Sequence, residues 1–303
     1  MKKILLTGAN GFLGNHCIQP LLEKGYEIYA VASKKRKMSD LPGVQWVCLD
    51  LLDIGSVEDF FKSVKLSHLL HFGWFMKPGA SYVSQENFKW VQASLQLLRN
   101  FAEQGGQRAV MAGSCAEYDW NYGFCSEQIT PLAPSTPYGV CKNALQSLFT
   151  SYVQQAGISG AWGRMFFLYG PRENETRLVA SVISALLGKK VAQCSHCTQI
   201  RDYMYVEDAA EAYVCLLDSE VQGPVNIASG QPIFLKDIVL KIAEKLDCND
   251  LIHFGSVERG VDEARLVLAD TKRLENEVGF FTQFNLDTGL EKTIRWWEEK
   301  LSK

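Results

Sequence analysis

Through the first half of the chain, short apolar runs rich in β-branched residues alternate with longer stretches whose apolar positions recur every three to four residues. The short runs are predicted as strands over 3–7, 27–32, 44–49, 68–72, 108–112 and 160–166, and the clearest helical stretches between them are 85–104 and 138–155. Such alternation calls for parallel strands joined by crossover helices, so the expected class is α/β, a doubly wound parallel sheet with helices on both faces. Beyond Tyr169-Gly170-Pro171 the period is less regular. A helix over 177–187, a strand over 224–227 and helices over 235–246 and 286–300 are expected to build a smaller C-terminal α/β lobe. The expected division is 1–165 and 166–303, with segments near 204–230 returning to the first unit. No repeat, low-complexity tract or linker separates the two, which places a ligand cleft between them.

Composition narrows the partners. A chain of 303 residues buries roughly 75% of its unfolded surface, so it needs neither metal nor disulfide to hold together. Its 31 basic and 34 acidic residues are interspersed and leave a net charge of -3, which argues against nucleic acid or an anionic membrane as partner and for small molecules. The nine cysteines are scattered, and the one close pair, Cys194-Ser195-His196-Cys197, has no second ligand pair at metal-binding spacing. They read as ordinary thiols with no metal, in a cytoplasmic protein. The apolar start Ile4-Leu5-Leu6 is cut off by Thr7-Gly8 before it could form a signal segment. No apolar run approaches the ~20 residues of a membrane span.

The first strand runs directly into Thr7-Gly8-Ala9-Asn10-Gly11-Phe12-Leu13-Gly14 and then a helical stretch. Glycines between a strand and a helix allow a tight turn and let backbone N–H groups approach a pyrophosphate at the positive end of the helix. Gly8, Asn10, Gly11, Phe12 and Leu13 are therefore candidate dinucleotide contacts in a Rossmann-type unit over 1–165. The second strand ends without the Asp or Glu that would hold an NAD ribose. It runs through Ser33 into Lys34-Lys35-Arg36-Lys37; Ser33, Lys34 and Arg36 suit a ribose 2′-phosphate, so NADP(H) is preferred, with NAD(H) the alternative. Asp50 and Leu51, after the third strand, are placed to contact the adenine, a helix-capping carboxylate being the other reading of Asp50.

Tyr138 and Lys142 stand four apart at the start of a long helical stretch, which puts phenol and ammonium on one face. A nearby cation favours the phenolate, and bringing a phenol from near 10 to around 7 needs about 4 kcal/mol. Tyr138 could then exchange a proton with a sugar hydroxyl or carbonyl. Ser114, where a strand meets its carboxyl edge, is a candidate donor to the reacting oxygen.

Together these residues resemble the extended short-chain dehydrogenase/reductase family, the NAD(P)-dependent nucleotide-sugar epimerases, dehydratases and ketoreductases. Gly8, Gly11 and Gly14 match its TGxxGFxG loop, and Ser114, Tyr138 and Lys142 match its Ser/Thr and YxxxK set. Arg164 to Pro171 is similar to its RxxxxYGP segment, Arg201 to Asp208 to its RDYxxVxD stretch, and Arg259-Gly260-Val261-Asp262 to its later substrate segment. The resemblance implies that Lys142 also bonds the nicotinamide ribose, that His71, Phe72 and Gly73 lie along the cofactor, and that Asn87 lines the site. It further implies that Arg201 and Arg259 hold the diphosphate of a nucleotide-sugar substrate, with Ser114, Cys115 and Tyr138 at the sugar. A homodimer through the helices 85–104 and 138–155 is expected.

Aligning on Tyr118 makes Ser114 the catalytic hydroxyl; aligning on Glu117 would select Cys115. The Asp-Glu pair that the family's 4,6-dehydratases carry after that hydroxyl is Cys115-Ala116 here, which excludes water elimination, and a cysteine used by one group of ring epimerases is replaced by Ala116. The first expectation is therefore an NADPH-dependent ketoreductase acting on the 4-keto group of a nucleoside-diphosphate 4-keto-6-deoxyhexose in deoxysugar or surface-glycan biosynthesis. A 4-epimerase is the nearest rival, a non-catalytic NADP(H)-binding regulator comes from another class, and a small-carbonyl reductase is a fourth reading.

Overall fold

The computed structural model describes residues 2–32, 41–257 and 264–302. In chain order the first half comprises β1 (Lys3–Thr7), α1 (Phe12–Glu23), β2 (Glu27–Ala32), β3 (Val44–Cys48), α2 (Ile54–Ser63), β4 (His68–His71), α3 (Glu86–Glu103), β5 (Arg108–Ser114), β6 (Phe124–Cys125), α4 (Pro137–Ala156), β7 (Ser159–Met165) and β8 (Phe167–Tyr169). The second half continues with α5 (Leu178–Leu187), β9 (Ala192–Cys194), β10 (Ile200–Tyr205), α6 (Val206–Asp218), β11 (Gly223–Ile227), β12 (Pro232–Phe234), α7 (Leu235–Lys245), β13 (Ile252–Phe254), β14 (Leu266–Ala269) and α8 (Leu286–Leu301).

Seven parallel strands form the main sheet in the order β11-β7-β5-β4-β1-β2-β3. The order reverses between β1 and β4, so their carboxyl ends splay apart and open a crevice, the place where doubly wound sheets take ligands. Ile4, Leu6, Ala30 and Val110 bury one face against α1 and α6, and Leu5, Leu69, Met111 and Trp162 bury the other against α3 and α4. The lobe has its own core, in which α5, α7 and α8 enclose Ile183, Ile242 and Trp297. Among the described residues no helix is long and apolar enough to cross a membrane, and no cluster of three or more His, Cys, Asp or Glu is placed to hold a metal ion.

Two differences from the sequence-based expectation have physical causes. Strand β5 runs on through Gly113 and Ser114, pairing Ser114 with Met165, although Gly-Ser reads as a turn. Gly113 is needed inside the strand because a Cβ there would stand 2.1 Å from Trp162 Nε1. Helix α6, absent from the expected elements, is buried over most of its circumference, with Val206, Ala209, Ala210, Ala212, Tyr213, Val214, Leu216 and Leu217 enclosed and only the narrow stripe Glu207, Glu211, Cys215 and Asp218 less so.

Arg108, at the start of β5, ties α6 to the sheet. Its guanidinium donates to the carbonyls of Leu216 and Leu217 in the last turn of α6 and to those of Val221 beyond it, with a fourth bond to Ser159 Oγ. A cation at a helix C-terminus satisfies carbonyls that have no partner within the helix. Replacing Arg108 by Met should cost about 3 kcal/mol, because buried carbonyls are left unpaired; urea unfolding measures it, and an unchanged midpoint would show the bonds to be dispensable.

Candidate active site

A cavity of about 620 Å³ lies at the carboxyl ends of β1, β4 and β5 and extends to the lobe. One end is the glycine turn. Gly8 has φ +66°, and a Cβ on it would press on the backbone of Phe72 and Gly73, so the loops after β1 and β4 touch directly. Gly14 is confined more tightly, since a Cβ there would stand 2.3 Å from Gly8 O. Helix α1 begins without a side-chain cap and without an acid in its first turn, so its leading N–H groups and positive dipole end remain available to an anion. This cradle fits the pyrophosphate of a dinucleotide. Gly8, Asn10, Gly11, Phe12 and Leu13 all line the cavity, as do Asp50, Leu51 and Phe72. Ser33, Lys34, Arg36 and Arg259 lie outside the described residues.

His71 is a correction. Its ring is buried rather than turned to the cavity, with Nδ1 2.7 Å from Thr7 Oγ1 and Nε2 2.9 Å from Ser94 Oγ. Burial pushes its pKa down to about 3, so the ring is neutral. Thr7 Oγ1 already accepts from the N–H groups of Phe72 and Gly73, so its one proton goes to Nδ1 and the ring N–H is on Nε2, donating to Ser94. His71 therefore clamps the two loops together. Gly73 is drawn into the same clamp and does not line the cavity either. Asn87 likewise stays behind the wall: its amide donates to Ser81 O and Ser84 O and accepts from Trp74 Nε1, so it orients an indole that does line the site.

Ser114, Tyr138 and Lys142, the residues expected to handle the proton, all line the cavity. Thr136 caps α4 through the Gly139 N–H and Pro137 occupies its first turn, which fixes Tyr138 at the helix start and Lys142 one turn on. Gly139 lets α4 sit against Ala116, whose carbonyl oxygen would be 2.3 Å from a Cβ at 139. Lys142 Nζ donates to Ala112 O at 2.9 Å and lies 3.7 Å from the centre of the Trp74 ring. Burial pulls its pKa down to about 7, against the opposing pull of Glu117. Tyr138 is corrected in the other direction: burial pushes the phenol up, not down toward neutrality, and Tyr82 adds to this while a hydrogen bond from Ser114 opposes it. Cys115 also lines the cavity, its thiol pushed up by burial, but the hydroxyl that reaches Tyr138 belongs to Ser114.

Beneath Ser114 lies an ion pair that sequence reasoning did not single out. Glu117 and Arg164, 0% and 1% exposed, are joined Nε to Oε2 at 2.7 Å. The same carboxylate accepts from Trp162 Nε1 and from the Ser114 backbone N–H.

Among the described residues, the wall carries two arginines that were not expected there. Arg201 is buried and not on the cavity lining; its guanidinium lies 5.5 Å from the Phe167 ring centre and its Nη1 donates to Ile200 O. Phe167 lines the cavity in its place, together with Arg172 and Arg177. No periodicity marks these two arginines; the signal available was their position directly after the YGP segment, on the turn that leads into α5.

A family model described as the NAD dependent epimerase/dehydratase family matches residues 4–228. UDP-glucuronic acid decarboxylase 1 of Xenopus tropicalis is 24% identical, over 99% of this chain and 73% of its own. CDP-abequose synthase of Salmonella typhimurium is 23% identical, over 96% and 97%. Among solved structures, UDP-glucose 4-epimerase of Thermotoga maritima superposes with a TM-score of 0.85 at 20% identity, covering 99% of both chains. UDP-N-acetylglucosamine 4-epimerase of Methanobrevibacter ruminantium M1 gives 0.88 at 21%, also over 99% of both.

Replacing Glu117 by Gln should destabilise the fold by about 3–5 kcal/mol, since Arg164 would keep a buried charge without its counter-charge. Denaturant titration reads this, and a loss under about 1 kcal/mol would mean that water or another group reaches Arg164.

Proposed function

Because the chain belongs to the NAD dependent epimerase/dehydratase family, as an NAD(P)-dependent enzyme of the extended short-chain dehydrogenase/reductase type, we propose that it is an NADPH-dependent ketoreductase. Its substrate is the 4-keto group of a nucleoside-diphosphate 4-keto-6-deoxyhexose. The observation that carries this reading is a geometric one: Ser114, Tyr138 and Lys142 line one cavity together, with no acid in the two positions after Ser114. In a reduction Tyr138 gives a proton to the carbonyl oxygen, and in a 4-epimerisation the same residue first takes one from the hydroxyl, so net cofactor consumption is what separates the two readings. Cys115 and Ala116 supply no carboxylate for water elimination. The relationship to CDP-abequose synthase supports a nucleotide-linked sugar in deoxysugar biosynthesis and puts a cytidine nucleotide on the test panel.

In this reading the bound cofactor supplies a hydride to the carbonyl carbon. Ser114 donates a hydrogen bond to the carbonyl oxygen, and Tyr138 gives that oxygen its proton. The phenolate left on Tyr138 is stabilised by the Lys142 ammonium, which also holds the nicotinamide ribose. Arg172 and Arg177 face the diphosphate, as guanidinium groups suit phosphate oxygens. The preference for NADPH rests on Ser33, Lys34 and Arg36, and on Ala32 closing β2 where an NAD site would place an acid. The chain pairs with a second copy through α3 and α4, where the apolar Phe88, Val140 and Leu148 are exposed.

Reduced-nicotinamide absorbance should fall when the protein meets NADPH and a member of a CDP-, UDP- and dTDP-linked 4-keto-6-deoxyhexose panel, and Tyr138→Phe should slow this on the order of 10²–10⁴-fold. No net consumption with any member, together with cofactor released on denaturation, would favour the 4-epimerase instead. The pH dependence follows from Lys142: it is charged below its pKa of about 7, so kcat/KM falls as pH rises through that value, and a profile flat from pH 6 to 8.5 would remove the role given to it.

A further inference from the structure

Among the described residues two carboxyl groups line the cavity wall, and while Asp50 lies at the cofactor end, Glu173 has no part in the cofactor contacts or the reduction. Glu173 follows the Gly170-Pro171 turn, its N–H donating to Gly170 O, and lines the cavity beside Phe167, Arg177 and Tyr203. It is 7% exposed, and its Oε2 is enclosed without any hydrogen-bond partner. Arg177, at the start of α5, and the Ala180 N–H both favour the ionised form, yet burial outweighs them and pushes the pKa up to about 8. Tyr203, facing it from β10, is pushed up by burial and stays neutral. At neutral pH Glu173 is thus a carboxylic acid, able both to donate and to accept.

An enclosed polar atom without a partner is a standing cost to a fold, and here it belongs to a side chain that lines a ligand cavity. A diphosphate has no proton to offer and is drawn to the cationic Arg172 and Arg177. A sugar hydroxyl, neutral and both donor and acceptor, matches a neutral carboxylic acid.

We propose that Glu173 is a specificity-determining residue whose carboxyl group grips a hydroxyl of the hexose part of the substrate. The proposal rests on the nucleotide-sugar reading above. It makes Glu173 a reader of the sugar, with no part in binding the nucleoside diphosphate or the cofactor.

The test is calorimetric binding of CDP-, UDP- and dTDP-glucose, each paired with its free nucleoside diphosphate, to the full chain and to Glu173→Leu and Glu173→Gln. For the best-binding pair, Glu173→Leu should weaken the sugar nucleotide about tenfold and leave the free diphosphate within about twofold. Glu173→Gln, which imitates the protonated acid, should bind like the parent at pH 7. It should also hold its affinity at pH 9, where the parent weakens as Glu173 ionises. Because the folded chain keeps the proton that the unfolded chain releases above its ordinary carboxyl pKa, stability is lost as pH rises toward 8, so Glu173→Gln should melt higher than the parent at pH 8 and level with it at pH 4. Equal weakening of both probes, or of neither, overturns the proposal, as does a Glu173→Gln melting temperature below that of the parent at pH 8. If no sugar nucleotide binds the parent chain, the nucleotide-sugar reading itself has failed, an outcome distinct from tight parental binding that Glu173→Leu leaves intact.

Discussion

The Glu117 carboxylate, shut away from water, is the constraint from which the rest of the site takes its position. A buried charge is tolerated only when its partner and hydrogen bonds are all in place, and Glu117 collects the Arg164 guanidinium, the Trp162 indole and the Ser114 amide. That last bond ends β5 where it ends and turns the chain so that the Ser114 hydroxyl faces Tyr138. The network does not stop there. Arg164 donates to Tyr118, the Tyr118 hydroxyl to Asn226 on β11, and the Asn226 amide to the carbonyls of Cys125 and Asp270. A single run of buried polar contacts thus joins the Ser114 edge of the main sheet to the strands of the lobe.

At the other end of the cavity the same economy of polar atoms is seen around Thr7. One hydroxyl serves two backbone amides and a histidine nitrogen, and it locks the β1 and β4 loops at the spacing the glycine turn requires. Between the two ends, burial acts on Tyr138 and Lys142 in opposite senses, raising one pKa and lowering the other. Desolvation disfavours whichever form is charged, so an enclosed pocket brings both groups toward neutrality. Charge is restored to such a pocket only by what enters it.

The glycine turn, the parallel strands and the Tyr-Lys spacing were legible because each is a local pattern with a local cause. What escaped the sequence has non-local causes. His71 reads as a ligand-facing histidine until the partners at Thr7 and Ser94 are known, 64 and 23 residues away. Arg201 reads as a ligand of the substrate diphosphate, yet it lies in the buried strand β10, where the neighbouring Asp202 is consumed by the amides of Ser229, Gly230 and Ala269. Arg172 and Arg177 carry no periodic signal, and the left-handed backbone of Arg172, φ +70°, depends on the turn it closes. Helix α6 keeps only the narrow stripe Glu207, Glu211, Cys215 and Asp218 away from its apolar surroundings.

That helix and the strand after it also decide how the chain can be taken apart. After building β8, α5 and β10 of the lobe, the polypeptide returns through α6 and β11 to cover one face of the main sheet and add its edge strand, then leaves again for β12. No single cut separates a nucleotide-binding module from a substrate-binding one, since either fragment would lack part of its own core. The two functions are therefore inherited together, and new substrate preferences have to arise by changing residues on the cavity wall and not by exchanging a cassette.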